Sequence, residues 1–234
     1  MEKEKLKEKQ LELLVVIMLG ITAILTAWAS WISSVHGANS TTNYAKSNNL
    51  ASEGNSEYNA GAQYLMQDML LYNEINNLSI DLHFAEKRGD KDAIESLEWK
   101  IEELMDANMS AELTAAYNWA LEESATLGRT VSPFEDETFL DSYFTKAMEL
   151  LGESETVLAA GQKDSADSDA FGLATVIYTV ALFMLGITNS FKDTKSKIAV
   201  FGIAIGAFLI ATTYMLFLPM PTDFNIFSFF TSRS

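Results

Sequence analysis

Four hydroxyl-bearing residues recur along the first apolar stretch of this chain. They are Thr22, Thr26, Ser30 and Ser33, and their spacing places them on one face of an α-helix. Small hydroxyl side chains let membrane helices approach closely and hydrogen-bond to one another. In an oligomer, the same side chains would line a pore and replace part of an ion's hydration shell. We favour helix packing and keep the pore as the alternative.

Three aspartates, Asp164, Asp167 and Asp169, cluster just before the second apolar stretch. An EF-hand calcium loop would also need a central glycine and a distal glutamate, and neither follows. Acidic residues in the first turn of a helix are stabilised by the backbone dipole by about 0.3–1 kcal/mol each. We therefore expect a helix to start here, and we regard a cation site as the weaker interpretation.

The remaining candidates for chemistry are few. His83 has Asp81 and Glu86 nearby, but the other histidine, His36, lies far away in the chain. Because a zinc site needs three or four ligands, we expect His83 to be a solvated side chain. The sequence has no cysteine and no recognisable nucleophile–base, phosphate-loop or metal motif. We predict that the protein is not an enzyme and carries no cofactor.

Three uncharged apolar stretches dominate the rest of the sequence, at residues 13–35, 171–191 and 198–221. About 20 apolar residues in a helix cross the roughly 30 Å hydrocarbon core of a bilayer. The sequence therefore predicts an all-α membrane protein whose transmembrane helices cover residues 13–35, 171–191 and 198–218. Four other parts complete the chain: an N-terminal segment, a helical domain, a short loop and a C-terminal segment, at residues 1–12, 36–170, 192–197 and 219–234.

The distribution of lysines predicts the orientation. Lys192, Lys195 and Lys197 lie between the second and third stretches, and four further lysines precede the first stretch. With three spans both segments lie on the same side, and lysine-rich short segments stay in the cytoplasm. We therefore expect a multi-pass protein of the cell membrane with a cytoplasmic N-terminus and loop, and with residues 36–170 and the C-terminal segment outside.

The domain between the first two spans is strongly acidic and helical in pattern. Residues 34–170 carry 26 acidic and 8 basic residues, a net charge of −18, in a chain of net charge −16. A stripe of apolar residues at helical spacing predicts that one face of the first helix is buried. This stripe consists of Tyr58, Ala62, Leu65, Met69 and Tyr72.

Local signals predict where the helices of this domain end. Gly89 is typical of a C-terminal cap, and Asp90 or Asp92 of the start of the next helix. Ser132 and Glu135 have the spacing of a capping box, with Pro133 at the first helical position. We expect a bundle of about three helices. Because so small a bundle buries a thin core, its apolar stripes are expected to meet further copies of the chain.

Two glycines of the third apolar stretch, Gly202 and Gly206, form a small-xxx-small pair. Such pairs allow two membrane helices to approach closely. We interpret this pair as a helix-packing site, although the motif is short enough to arise by chance.

The order of these features is similar to that of known proteins. A lysine-bearing start and one span precede an Asn/Ser/Ala-rich helix, a helix start at Pro133–Phe134 and an acidic approach to the closing pair of spans, "FGLATVIYTVALFMLGITNSFKDTKSKIAVFGIAIGAFLIATTYMLFLPMP". The chain resembles a group of uncharacterised prokaryotic three-span membrane proteins that share a domain of unknown function. This resemblance implies a membrane topology and no particular activity.

Two functions remain open from the sequence. The first is a non-catalytic, self-associating membrane protein with a helical structural or sensing module outside the cell. The second is a cation-conducting oligomer, in which the charge of −18 on residues 34–170 concentrates cations at the entrance. The expected partners are the lipid bilayer, further copies of the chain and, for the second function, cations. No feature indicates a nucleic-acid partner.

Overall fold

The computed structural model describes the backbone of residues 2–221 and the side chains of residues 9–221. All regular secondary structure in residues 2–221 is helical. The helices are α1 (Glu2–Arg88), α2 (Lys91–Asn108), α3 (Ala111–Leu127), α4 (Glu137–Ser142), α5 (Thr145–Thr188) and α6 (Thr194–Leu216), with a 3-10 turn at Pro133–Glu135. Most of the predicted C-terminal segment, residues 222–234, lies outside the described residues.

Three of these helices, α1, α5 and α6, are long and apolar enough to cross a membrane. They contain all of the first apolar stretch and most of the other two, so the all-α class and the three candidate spans are confirmed. The part of the chain between the first two stretches is helical as well. This part begins within α1 and ends within α5, and each of these two helices also contains a candidate span.

The chain divides into two compact units. One consists of residues 1–46 and 156–234, and the other of residues 47–155. We call them the three-helix unit and the acidic unit. The three-helix unit contains the candidate spanning stretches and all of α6. The acidic unit contains α2, α3 and α4 together with parts of α1 and α5.

The three-helix unit is held by a core between its three helices. Ile32, Phe171 and Tyr178 are completely buried there, and the Tyr178 hydroxyl donates to Thr212 Oγ1 at 3.0 Å. On the opposite faces, large aliphatic side chains such as Ile24 and Ile210 are exposed, at 71% and 62%. A surface of this kind is matched to lipid rather than to water.

The acidic unit has a small core in which aromatic rings predominate. Leu113 and Phe139 are buried, and the Phe139 ring lies 5.1 Å from Tyr143 and 5.6 Å from Phe134. In contrast, α2 has no buried residue. The unit therefore has the thin core that the sequence predicts.

The predicted helix ends are confirmed. Gly89 has a φ of 68°, the left-handed conformation that ends α1, and the Asp90 side chain accepts from Ala93 N as the N-cap of α2. Ser132 and Glu135 form the predicted capping box, with Pro133 in the first turn. This box starts only the short 3-10 turn, because Asp136 caps α4 anew.

The buried face of α1 in the acidic unit differs from the predicted stripe. Tyr58 and Met69 are 50% and 45% exposed, whereas Ser47, Gly54 and Gly61 are buried. The other three residues of the stripe are half-buried, so the prediction is only partly correct. The most deeply buried positions are small because α5 and the turn before it approach α1 too closely for large side chains. A Cβ on Gly61 would clash with the Tyr143 carbonyl oxygen, and one on Gly54 would lie 2.9 Å from Leu151 Cγ.

Paired serines mark the close approach of α1 and α5 in both units. In the acidic unit, Ser47 Oγ donates to Ser154 O and Ser154 Oγ donates to Ser47 O, both at 2.9 Å. In the three-helix unit, Ser33 and Ser168 exchange the same two bonds at 2.9 and 2.8 Å. Because later residues of α1 meet earlier residues of α5, the two helices are antiparallel within each unit.

Candidate functional site

The acidic unit contains a cavity of about 420 Å³. α1 contributes half of its lining residues, and the rest come from the start of α3, the end of α4 and the first turn of α5. Its lining residues are Glu57, Ala60, Gly61, Tyr64, Asp68, Ser110, Glu112, Ser142, Tyr143 and Lys146. The lining thus combines three carboxylates, one amine, two tyrosines and two serines.

Asp68 is the best-positioned polar group of this cavity. Its Oδ2 accepts from the Tyr143 hydroxyl at 2.5 Å and from Ser110 Oγ at 3.1 Å. Ser110 is itself fixed, since it is the N-cap of α3 and its Oγ accepts from Leu113 N at 3.0 Å. The carboxylate of Asp68 is therefore held in place by hydroxyls from two other parts of the fold.

Tyr143 acts as a neutral donor to this carboxylate. Burial of the ring raises the pKa of the Tyr143 hydroxyl, and the hydrogen bond to Asp68 raises it further. The charge of Glu112 acts in the same direction. The hydroxyl consequently keeps its proton at neutral pH.

At the edge of the cavity, Lys146 Nζ donates to Glu57 Oε1 at 2.5 Å. This ion pair raises the pKa of the lysine, so Lys146 remains charged and bound to Glu57. Within the described residues, no group of three or more His, Cys, Asp or Glu side chains is arranged to hold a metal ion.

A second polar cluster lies in the three-helix unit, around His36. The ring is 2% exposed and stacks on Phe171 at 5.8 Å between centroids. Its Nδ1 lies 2.9 Å from Asp164 Oδ1, and its Nε2 lies 3.2 Å from Pro219 O. Asn43 Nδ2 donates to Asp164 Oδ2 at 3.1 Å. The cluster joins α1, α5 and the segment after α6.

The structure therefore changes the interpretation of the three aspartates. α5 begins at Thr145, far ahead of Asp164, so the expectation of a helix start at these residues is wrong. Asp164 bonds to His36 and Asn43, Asp167 is half-buried and Asp169 is exposed. The cation site that we regarded as the weaker interpretation stays an unsupported prediction.

The four predicted hydroxyls do not share one environment. Thr22 is buried and its Oγ1 donates to Met18 O at 2.7 Å, while Thr26 donates to Thr22 O at the same distance. Ser33 bonds to Ser168, which is a helix-packing contact. Ser30 is exposed. Packing and pore remain alternatives for this set.

The other predicted positions lie at the surface or at the opposite end of the three-helix unit. Within the described residues, a Cβ on Gly202 or Gly206 would meet no atom within 4 Å, so their role in helix packing stays a prediction. Lys192 and Lys195 are exposed. Lys197 is 5% exposed, and its Nζ donates to Glu12 Oε1 at 3.3 Å.

Three features were not predicted from the sequence: the Asp68 cavity, the His36 cluster and the paired serines. A signal for the serines does exist, because Ser33, Ser40, Ser47, Gly54 and Gly61 follow one another at intervals of seven residues. A small residue at every seventh position marks a seam of close helix packing. By contrast, Asp68 and Tyr143 stand far apart in the chain, and no local pattern connects them.

Comparison of the chain with protein-family models, with curated proteins and with solved structures finds no significant match. The resemblance to a group of three-span prokaryotic membrane proteins stays a prediction.

Proposed function

We propose that this chain is a non-catalytic, self-associating integral membrane protein, and that residues 36–170 form a helical structural or sensing module outside the cytoplasm. Its partners are the lipid bilayer and further copies of the same chain. The observation that carries this proposal is an exposed face of α1 in the acidic unit.

That face has the residue spacing of a coiled-coil seam. Apolar or amide side chains follow one another at alternating intervals of four and three residues, which is the heptad pattern. All of them are exposed: Met66, Leu70, Asn73, Asn77, Ile80 and Phe84. Four are large apolar side chains with exposed fractions of 47–64%. We call these six residues the α1 seam.

The opposite face of the same helix is already used inside the acidic unit. Ile75 is buried at 2% exposure, and Leu71 packs against the core that contains Phe139. α1 is therefore apolar on two faces, and only one of them is covered by other described residues. A second helix with the same heptad pattern would cover the other, and asparagines at core positions of such seams select register and partner number.

The location in a membrane is supported by two polar contacts of the three-helix unit. Glu12, which contacts Lys197, and His36, which contacts Asp164, bracket the first apolar stretch on α1. Their separation of 24 residues corresponds to about 36 Å of helix, slightly more than the roughly 30 Å of a hydrocarbon core. Both contacts thus fit positions at the two membrane surfaces.

The proposed orientation in the membrane is supported by a contact within the three-helix unit. The contact between Lys197 and Glu12 brings the start of α6 to the end of the unit where α1 leaves its lysine-bearing segment. Both lysine-rich segments then lie on one side, as a cytoplasmic location requires. Residues 36–170 lie on the other side.

Multi-angle light scattering of the full chain in detergent tests self-association. We expect the wild-type protein to form oligomers and the double variant Leu70→Glu/Ile80→Glu to be monomeric, because two carboxylates per chain would be brought into the α1 seam. Leu121→Glu is the matched control, since Leu121 is similarly exposed, at 54%, but lies on α3. A wild-type monomer, or oligomers in the double variant, would contradict the proposal.

The alternative is a cation-conducting oligomer with an acidic entrance. Ser30 favours this alternative most directly, because its exposed hydroxyl is open to a neighbouring copy. Planar bilayers with purified protein should then show discrete cation-selective currents that Ser30→Leu or Thr26→Leu reduces. Bilayers that remain silent would exclude this function.

A further inference from the structure

We propose that the cavity around Asp68 binds a small organic cation that carries an ammonium group. The inference rests on the sensing role within the proposed function and gives that role a class of ligand. It does not depend on self-association, which involves the opposite face of α1.

The first feature that favours an ammonium ligand is the hydrogen bonding of the Asp68 carboxylate. Its Oδ2 is occupied by the hydroxyls of Tyr143 and Ser110, whereas no donor among the described residues bonds to Oδ1. An ammonium group supplies N–H donors and a positive charge, and charge-assisted hydrogen bonds of this kind are about twice as strong as neutral ones. The carboxylate is already fixed, so binding requires little reorganisation.

The second feature that favours a cation is the charge of the residues that line the cavity. Lys146 is paired with Glu57, which leaves the carboxylates of Asp68 and Glu112 uncompensated by a lysine or arginine of the cavity. A concave site lined by one sign of charge concentrates ions of the opposite sign. The cavity therefore selects cations and repels anions.

The composition and the volume of the cavity favour an organic cation over a metal ion. The described residues contain no metal-ligating group of three or more side chains. A volume of about 420 Å³ is within the usual range of small-molecule sites, about 300–1,000 Å³. Tyr64, exposed at 62%, and Tyr143 supply aromatic rings, which attract ammonium groups through their π-electrons.

Isothermal titration calorimetry of the full chain in detergent tests the site, with 1,4-diaminobutane dihydrochloride as the probe. We expect saturable binding by the wild-type protein at constant ionic strength. Asp68→Asn should weaken binding about tenfold or more, which is the scale of one lost charge-assisted contact. Glu112→Gln should weaken it by a smaller factor, and Glu122→Gln, which removes an exposed charge of α3 outside the cavity, should leave it unchanged.

Absence of saturable heat in the wild-type protein would overturn the proposal. Equal affinity in the wild-type protein and Glu112→Gln would overturn it too, and this exposed substitution decides the matter if Asp68→Asn does not fold. Magnesium chloride and tetramethylammonium chloride are compared as competitors at matched ionic strength. If magnesium competes as strongly as tetramethylammonium, the cavity is a site for inorganic ions and the proposal is wrong. Light scattering of the same samples reports self-association separately, so failure of the oligomer and failure of the binding site are distinguishable.

Discussion

His36 Nδ1 lies 2.9 Å from Asp164 Oδ1, in a pair that connects α1 with α5 beside the first apolar stretch. The other ring nitrogen lies 3.2 Å from the carbonyl oxygen of Pro219. A carbonyl oxygen only accepts hydrogen bonds, and so does an ionised carboxylate. Each ring nitrogen that carries a hydrogen can donate it to the acceptor that faces it. One side chain then holds three parts of the three-helix unit together.

A double-mutant cycle on this pair should show strong coupling. Among the described residues, His36→Leu leaves Asp164 with Asn43 as its side-chain partner. We expect the substitution to destabilise the protein by about 1–3 kcal/mol, since Asp164 is partly solvated. In the background of Asp164→Asn the same substitution should cost much less. Denaturant titration in detergent measures all four proteins. Additive effects would show that the two side chains do not interact.

Gly61 should tolerate no side chain. Gly61→Ala puts a Cβ against the Tyr143 carbonyl oxygen, and forced overpacking of this type costs about 1–3 kcal/mol. Gly152→Ala is the matched control, because a Cβ there meets no atom of the described residues within 4 Å and alanine favours a helix by about 0.5–1 kcal/mol. Thermal unfolding should therefore shift in opposite directions for the two variants. A shift in the same direction would show that α1 and α5 are less closely packed.

The acidic unit should lose stability above about pH 10. Burial and the bond to Asp68 raise the pKa of Tyr143 above its ordinary value of 10.0. In this pH range the unfolded chain releases the proton and the folded chain retains it. The stabilisation is therefore complete below pH 10 and is lost as the pH rises towards the folded pKa.

Denaturation curves of the wild-type protein and Tyr143→Phe between pH 8 and pH 11 measure this effect. The difference in unfolding free energy between the two proteins should shrink as the pH rises. A difference that stays constant would show that Tyr143 titrates alike in both states. The pKa of Tyr72 is also raised, mainly by burial, so both proteins keep some alkaline sensitivity.

The orientation can be tested directly, because the natural chain contains no cysteine. Lys100→Cys in α2 and Lys195→Cys in the first turn of α6 introduce single thiols at exposed positions. In intact cells a membrane-impermeant maleimide should label the first variant and not the second. After the cells are broken, both should react. Labelling of Lys195→Cys alone in intact cells would reverse the proposed topology.

Local features of the sequence predicted the local structure well. The three apolar stretches lie in helices long enough to span a membrane, because length and hydropathy are properties of one segment. The helix ends at Gly89 and Asp90 and the capping box of Ser132 and Glu135 also follow from nearby residues. Each depends on contacts within a few positions of the chain.

The buried face of α1 was not predictable by the same approach. Apolar periodicity indicates large side chains at the core, but the contact with α5 uses Ser47, Gly54 and Gly61. Their burial depends on how closely a second helix approaches, which is set by residues about a hundred positions later. Hydropathy carries no information about that distance.

The amino-acid sequence by itself determined the all-helical class, the three apolar stretches, the acidic charge between them and the helix boundaries at Gly89, Asp90 and Ser132. The tertiary structure alone decided that His36 meets Asp164, that Asp68 meets Tyr143, and that α1 exposes a second apolar face. The physical reason is the range of the interactions. Hydropathy, capping and backbone conformation act between neighbours, whereas a buried hydrogen-bonded pair or a cavity exists only when distant segments are brought to within about 3–4 Å.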